Sequence, residues 1–564
     1  MKYLKQSLPL IFILLLSLFS IIPFFHTGFF PMHDDTQVAR VYEMAKGLTD
    51  GMFPVRWSAD LGYGFGYPLF NFYDPLPYYL GGIIEVIGLN ALLATKTMMA
   101  LGVILAGVSM YFLGKEFWGK PGGILSALFY MYAPYHAVDI YVRGDVAEFW
   151  AYAFIPLVFL GLYKIYKEEK WRYVVLAAIS FALVVISHNL TAMMISPFLI
   201  LFAAYLMFKA KKKRVALYSL AAFVIGTLLA AFYWLPAILE MPYTNVSALI
   251  GGGSNFRDHF VCLGQLWTSP WGYGGSVKGC VDGLSFMIGK YHILLSLCLF
   301  IFALAALISK KYFAAFSKEK LVILVLSFSG FLISIFFTLQ ISQPIWELIR
   351  PMAFLQYPWR FLLTIVFFAS FMSGSLFWIM GKLIKGKLIL TASVVLLSCF
   401  LVLVSVKFFV PEKYLPVDSG YYTNTLALQW RTSKISDEYL PKDFQRPQNQ
   451  NGIANFSSLN SKNSELISVS KKTQAITLII KANNDEKIIL LPLAFFPAWH
   501  AYLDNNSVPI FENSQGSEVN FPRGQHALRL VFQQTGVELL GDLISLAGVL
   551  ALFAGIIQLN KKYA

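Results

Sequence analysis

The chain is 564 residues long, 57% hydrophobic and only 13% charged, too apolar for a water-soluble protein, in which about a quarter of residues carry charge. It reads as a mainly α-helical, polytopic membrane protein. Its formal net charge of +14 does not indicate a nucleic-acid partner, because the basic residues fall in short clusters between apolar runs, as the orientation rule for membrane proteins requires.

Apolar runs of roughly 17–25 residues can each cross a bilayer as a helix, and about twelve are expected along the chain. The first, 7–25, has the basic start (Lys2, Lys5) and apolar core of a signal peptide. No small-residue cleavage site follows it, so it is expected to remain as a helix. A long outer segment, 26–96, comes next and opens on PMHDDTQ (31–37), with the adjacent carboxylates Asp34 and Asp35. Beyond them Val38, Val41, Tyr42 and Ala45 recur at helical spacing with Arg40, Glu43 and Lys46 between, the pattern of an amphipathic helix lying at the membrane interface. Asp34 followed by Gln37 has the form of a capping box, with Asp34 accepting from the orphan amides. Asp35 then has no capping duty, and one of the pair is a candidate general base or metal ligand.

Spans are expected at 97–114, 121–137 and 149–166, and YVRGDVAEFW (141–150) places Arg143, Asp145 and Glu148 in the outer turn between the last two. Spans at 172–188, 190–208 and 215–236 follow, with SHN (187–189) putting His188 at the outer level. A second outer segment, 237–286, contains QLWTSPWGYGGS (265–276) and two of the four cysteines, Cys262 and Cys280, open to pairing as an external disulfide. Spans at 287–309, 320–340, 360–380 and 387–409 come next, and Arg360 in YPWR (357–360) opens the third of these. The third outer segment, 410–536, alternates apolar and polar residues between turn-formers, which predicts antiparallel strands in a small extracytoplasmic β-sandwich. Trp430, Trp499 and His500 are expected to pack in its core. A last span, 537–558, completes three regions: a transmembrane domain over 1–409, the β-rich domain over 410–536, and a final helix with its tail over 537–564.

With the N-terminus inside, about 22 Lys and Arg fall on the cytoplasmic side, against about 10 on the outer side before residue 410. Such a bias places both termini in the cytoplasm and the long segments outside the plasma membrane. The cytoplasmic connections are short basic stubs with no P-loop or dinucleotide fingerprint. Chemistry then belongs to the outer face, away from nucleotide-activated sugars, and a lipid-borne substrate is the economical expectation. The acids and bases named above converge at one depth on that side, where ionisable groups avoid lipid by facing a cavity or the bundle interior. Taken singly, Arg360 and Lys96 fit interfacial snorkelling, and Arg143 with Asp145 a local ion pair. Aromatic and glycine-rich stretches at 56–80 and 265–276 add apolar surface suited to sugar faces and lipid chains, beside carboxylates suited to hydroxyls and cations suited to phosphate.

An acid pair opening an interfacial helix in the first outer loop resembles the GT-C superfamily of membrane glycosyltransferases. More closely, YVRGDVAEFWAYAFIPLVFL (141–160), SHN, TSPWGYGGSV (268–277) with DGLSFMIGKYH (282–292), LQYPWRFL (355–362), DEYLP (437–441), and FFPAWHAYLDNN (495–506) with NFPRGQHALRLVF (520–532) resemble the YfhO-like membrane proteins and those labelled 6-pyruvoyl-tetrahydropterin synthase-related, nearly end to end. No histidine cluster with zinc-site spacing supports a pterin activity. The resemblance implies a GT-C-like bundle and transfer of a sugar from a polyprenyl-phosphate carrier to a glycan, lipid or protein acceptor at the outer face, among membrane lipids. It ties catalysis to the first acid, Asp34, where the capping argument prefers Asp35; both stand as candidates. Arg143, and after it Arg360 or His188, would hold the donor phosphate. Asp145 and Glu148 would position the acceptor or, with the pair, bind a divalent cation such as Mg or Mn, and metal-dependent and metal-free chemistry are both open. Two rivals remain: a lipid-linked sugar transporter or flippase, which needs ionisable groups near mid-membrane where these spans are nearly charge-free, and a non-catalytic envelope assembly protein.

Overall fold

The computed structural model describes residues 2–249, 251–309, 314–483 and 488–563. Among them nine helices are long and apolar enough to cross a bilayer, and a tenth span results if Lys213–Leu229 and Ala231–Leu239, bent by 66° at their junction, are taken together. The 41-residue helix Ala91–Met131 would be about 60 Å long if straight, twice the hydrocarbon thickness. It is instead a hairpin. Gly119 leaves the helical region (φ 80°, ψ 176°), and the two arms touch where a Cβ on Gly114 would lie 2.9 Å from Ser126 and one on Gly123 2.8 Å from the Tyr111 carbonyl. Trp171–Ser187 is a shorter apolar helix. With the hairpin counted as two, each of the twelve expected segments corresponds to a helix. Lys310 and Lys311 lie outside the described residues, as do the side chains of Lys2, Lys5, Lys561 and Lys562.

Val146–Glu168 and Pro358–Leu383 are the most buried spans and form the centre of the bundle, whereas Lys290–Ile308, Lys387–Phe408 and Gly536–Gly555 are mostly outward-facing. Small residues permit the close approaches at the centre: a Cβ on Gly161 would lie 2.7 Å from the Cβ of Ala177, the kind of contact that substitutes for hydrophobic drive in lipid.

The expected interfacial helix forms at Gln37–Thr49, but it does not lie on a membrane surface. Arg40 and Glu43 are buried along with Val38, Val41, Met44 and Ala45. Its polar side is covered by protein: Arg40 donates to Ser436 Oγ (2.9 Å) and stacks on the Tyr73 ring (3.9 Å), while Glu43 accepts from Ser58 Oγ (2.8 Å) and the Asp60 amide (3.1 Å). The amphipathic pattern therefore encodes a helix packed on both faces, with Arg40 and Glu43 hydrogen-bonded to neutral groups on the second.

The strands lie in the second half of the third outer segment: β1 (Ser464–Lys472), β2 (Ala475–Ala482), β3 (Ile489–Leu491), β4 (Trp499–Leu503), β5 (Asn506–Val508), β6 (Ile510–Asn513), β7 (Gly516–Val519) and β8 (Gly524–Phe532). They pair antiparallel in two sheets, β1-β2-β8-β4-β5 and β3-β7-β6. Residues 419–435 are short helical turns. Period-two burial sets the inner face: Ile476, Leu478 and Ile480 of β2 with Leu528 and Leu530 of β8. That face docks on the first outer segment, where Trp57 meets Trp499 edge-on at 5.4 Å and Phe532 at 5.8 Å. Trp499 is thus a core residue, and Trp430 is half-buried against Tyr63 at 5.8 Å. His500, expected in the core, is exposed because the strand's alternation turns it to the opposite face.

Candidate functional site

The first outer segment is stitched to the 139–145 turn by backbone. The His33 amide donates to the Val142 carbonyl (3.0 Å) and the Asp34 amide to the Arg143 carbonyl (2.9 Å). Gln37 Nε2 donates to the Gly144 carbonyl (2.5 Å), and Gln37 Oε1 accepts from the Tyr78 hydroxyl. Gly144 takes φ +66°, and a Cβ there would lie 2.1 Å from Met32 Sδ, so the position requires glycine twice over.

The capping box does not form. The helix starts at Gln37, its N-cap is Thr36, and no side chain caps it; Gln37 reaches the backbone oxygen of Asp34 (3.0 Å) and the Gly144 carbonyl instead. Both carboxyl groups are released from capping, and they diverge. Asp34, half-buried, faces Asp145, Arg143, Arg40 and Arg360; burial and then Asp145 raise it above the ordinary carboxyl range, against the three guanidinium groups. Asp35 instead has Arg431 and Tyr422 as its electrostatic neighbours, and burial pushes it up to about 6.

Arg143 sits at the focus of three buried carboxylates. It pairs with Asp139, with Asp145 Oδ2 at 2.5 Å and with Glu148 Oε2 at 2.9 Å, and donates to the Tyr135 hydroxyl at 3.1 Å. The tyrosine in turn donates to Glu148 Oε1 at 2.5 Å. Asp145 also caps the Val146–Glu168 helix, its Oδ1 accepting from the Glu148 amide at 3.0 Å. Burial alone would raise Asp145, but Arg143, His188 and Arg360 outweigh it and hold the group below the usual carboxylate range. Asp139 goes the other way, raised by burial and by Glu148. The ion pair expected of Arg143 with Asp145 is present, as one contact of a larger network.

Arg360 does not snorkel. It is buried, with Nη2 3.5 Å from Asp145 and Nε 3.5 Å from Glu148, and its Nη1 has no hydrogen-bond partner. His188 is buried between two helices, Nδ1 bonded to Thr191 Oγ1 at 2.7 Å, within electrostatic reach of Asp145, Arg360, Glu148 and Arg143. Lys96 lies apart and donates to the His26 carbonyl at 2.7 Å. The structure therefore gathers Asp34, Arg143, Asp145, Glu148, His188 and Arg360, and leaves Asp35 with Arg431 and Tyr422.

Sequence reasoning missed Asp139, Tyr135, Arg40 and Asp74. Asp139 had a signal, its i,i+4 spacing to Arg143. Asp74 had none: its Oδ1 accepts from the Tyr233 hydroxyl (2.8 Å) and the Asn189 amide (3.1 Å), far along the chain, and burial pushes it up to about 8.

Among the described residues no group of three or more His, Cys, Asp or Glu is arranged to hold a metal ion. Asp139, Asp145 and Glu148 are instead turned onto Arg143, whose charge occupies the centre a cation would need, so the donor set as assembled does not fit Mg or Mn. Cys262 and Cys280 are joined by a disulfide.

Residues 70–247 match the family described as 6-pyruvoyl-tetrahydropterin synthase related domain, membrane protein, so the resemblance read from the motifs holds over that stretch, which includes Arg143, Asp145, Glu148 and His188. An uncharacterized protein of Lactococcus lactis subsp. cremoris (strain MG1363) is 24% identical over 249 residues, 42% of this chain and 41% of that protein. Among solved structures, the Archaeoglobus fulgidus oligosaccharyltransferase tethered with an acceptor peptide containing the NVT sequon aligns with TM-score 0.45 and 12% identity, over 80% of this chain and 61% of that one. The same enzyme in complex with Zn and sulfate aligns with TM-score 0.42 and 13% identity, over 78% and 58%. The chain thus spans less than two thirds of each of these proteins.

Proposed function

We propose that this membrane protein is a GT-C-type glycosyltransferase, moving a sugar from a polyprenyl-phosphate carrier to an acceptor hydroxyl or amide of a glycan, lipid or protein at the outer face. The observation that carries the reading is that the segment bearing the half-buried Asp34 is tied by backbone to Arg143 (Asp34 N–H to the Arg143 carbonyl, 2.9 Å), in the same network where Arg360 is buried with an unpaired Nη1. A carboxyl raised by burial is a better proton acceptor at working pH than an ordinary aspartate. An arginine with an unspent N–H suits a developing phosphate charge.

In this reading Asp34 takes the proton of the acceptor as its oxygen or nitrogen bonds to the anomeric carbon. The bond from that carbon to the carrier phosphate breaks, and its electron pair leaves on the phosphate oxygen, which Arg360 stabilises. Displacement from the opposite face inverts the anomer, and a phosphate leaving group needs no acid catalyst. Arg143 is a positioning residue rather than a phosphate ligand, because its Nη1 is committed to Asp139, Glu148 and Tyr135 and its Nη2 to Asp145. Asp145 and Glu148 flank Arg360 and orient it. Asp35, turned toward Arg431, belongs to the acceptor side. Asp145, His188 and Arg360 lie at the starts of the helices Val146–Glu168, Asn189–Ala210 and Pro358–Leu383, and charge gathered at helix starts rather than mid-span favours a transferase over a transporter. The basic connections support an outer-face site with both termini inside.

The test is purified protein in nanodiscs with a panel of radiolabelled polyprenyl-phosphate sugars, with and without EDTA. Asp34→Asn is expected to abolish transfer and hydrolysis with the fold intact, and Asp35→Asn to retain them. Donor binding without turnover under every condition would replace the transferase by a non-catalytic assembly protein, and absence of binding would reject lipid-linked sugars altogether.

A further inference from the structure

The outer loop closed by Cys262 and Cys280 touches the charged site from two sides. On one side, His33 Nε2, on the residue before Asp34, is bonded to the Tyr273 carbonyl at 2.9 Å, and the Tyr273 hydroxyl is anchored on the Val410 carbonyl at 2.9 Å. On the other side stands Trp359, adjacent to Arg360 and 2% exposed. Its ring lies against the Arg143 guanidinium, 4.7 Å from Cζ to the ring centroid, and its Nε1 donates to Ser276 Oγ at 3.1 Å. Ser276 Oγ is bonded to His259 Nδ1 at 2.9 Å, and His259 Nε2 to the Gly253 carbonyl at 2.9 Å.

The direction of this chain follows from its ends. A carbonyl only accepts, so His259 carries its proton on Nε2, and its bare Nδ1 accepts a hydrogen bond from the Ser276 hydroxyl. The serine oxygen is left to accept from the indole of Trp359. Every member is satisfied with a neutral imidazole. Tyr357 reinforces the arrangement: it stacks on Trp359 at 5.0 Å, meets the His259 ring at 4.7 Å and is bonded to Ser254 Oγ at 3.2 Å. The ion pairs of Arg143 hold one edge of its guanidinium, and the indole face fixes its plane.

We propose that the disulfide-closed loop 262–280 is a two-sided clamp on the site, in which Trp359, through Ser276 and His259, is the positioning residue for the Arg143 guanidinium, and Tyr273 positions the segment that carries Asp34. The catalytic consequence rests on the transferase reading above; the mechanical coupling does not. The disulfide restricts the loop that carries both Tyr273 and Ser276, so opening it relaxes both contacts at once.

Hydrogen exchange of the full-length protein in nanodiscs tests the coupling without any substrate. In Cys262→Ser/Cys280→Ser, the amides of His33 and Asp34, which bond to the 142–143 carbonyls, are expected to exchange about tenfold faster, an opening eased by about one decade in its equilibrium. Trp359→Phe, which keeps a ring and removes only the N–H donor, is expected to loosen peptides over 140–146, with β2 and β8 unchanged. Should the double-serine variant unfold, its sheet peptides will report it, and Trp359→Phe then decides alone. Unchanged exchange at 140–146 in Trp359→Phe overturns the proposal. With turnover in hand, Ser276→Ala and Trp359→Phe should each lower kcat by about tenfold with KM little moved. Their double variant should be no worse than the poorer single, whereas multiplicative losses would show independent roles and overturn the clamp. A wild-type protein inactive on every donor rejects the transferase reading, and the exchange result still decides the coupling.

Discussion

Arg143→Met exposes how much the fold depends on the central network. The substitution removes the guanidinium paired with Asp139, Asp145 and Glu148, whose side chains are 0%, 5% and 0% exposed. At an effective dielectric near 20, one charge pair about 4 Å apart is worth about 4 kcal/mol, but desolvation cancels much of that, and stripping a buried group of its partner costs about 3–5 kcal/mol. Two features place this case at the lower end. Arg360 lies 3.5 Å from both Asp145 and Glu148, and Asp139, already raised by burial, can take up a proton. A loss of about 3 kcal/mol at pH 7.5 is expected. Unfolding entropy of about 2.1 cal/mol/K per residue gives about 1.2 kcal/mol/K for a chain of this length, so Tm should fall by about 3 °C. The pH dependence has a fixed sign. Carboxyl groups without their guanidinium keep protons in the folded state that the unfolded chain releases, so the variant loses stability as pH rises and recovers it as pH falls. Thermal unfolding followed by tryptophan fluorescence in nanodiscs at pH 5.5 and 7.5 reads this directly. A Tm equal to wild type at pH 7.5, or a deficit that grows at pH 5.5, refutes the reasoning.

Asp35, pushed up to about 6, binds its proton in the folded state over a range where the unfolded chain has lost it. Wild-type stability should therefore fall between about pH 4 and 6 from this group and stay low above. Asp35→Asn should flatten that part of the Tm–pH profile and be the more stable protein at pH 7 by about 1–2 kcal/mol after solvent screening, and a less stable variant at pH 7 would contradict it. Asp74, pushed up to about 8, is neutral at pH 7, so Asp74→Asn should cost under about 1 kcal/mol, while Asp74→Leu strands the Asn189 amide and should cost about 2 kcal/mol, both read as Tm shifts. Gly144→Ala adds a Cβ 2.1 Å from Met32 Sδ at a left-handed position and should cost about 2–3 kcal/mol. Combining it with Met32→Ala should return the steric part but not the backbone part, and full recovery would show that φ is not the constraint.

Local chemistry dictates much of this protein. A run of about twenty apolar residues in lipid must satisfy its own backbone, which leaves the helix as its only open form. Residues read as 149–166 and 320–340 are accordingly the helices Val146–Glu168 and Lys318–Thr338. Alternation between turn-formers was enough to predict antiparallel strands in 410–536, of which β2 is one, because the strand period is two. Part of the Arg143 network was legible for the same reason: Asp145 and Glu148 lie within five residues of it, although Asp139, four residues before it, was passed over. Where the partner is distant, sequence is silent. Whether Asp34 or Asp35 turns inward depends on two amides pairing with the carbonyls of Val142 and Arg143. The apparent interfacial helix is buried because Arg40 meets Ser436, 396 residues later. Asp74 owes its raised pKa to burial among groups from the Asn189 and Tyr233 helices. Periodicity records which residues share a face of one element, and only packing between elements decides what each face meets, which carboxyl loses its water, and hence which groups can do chemistry.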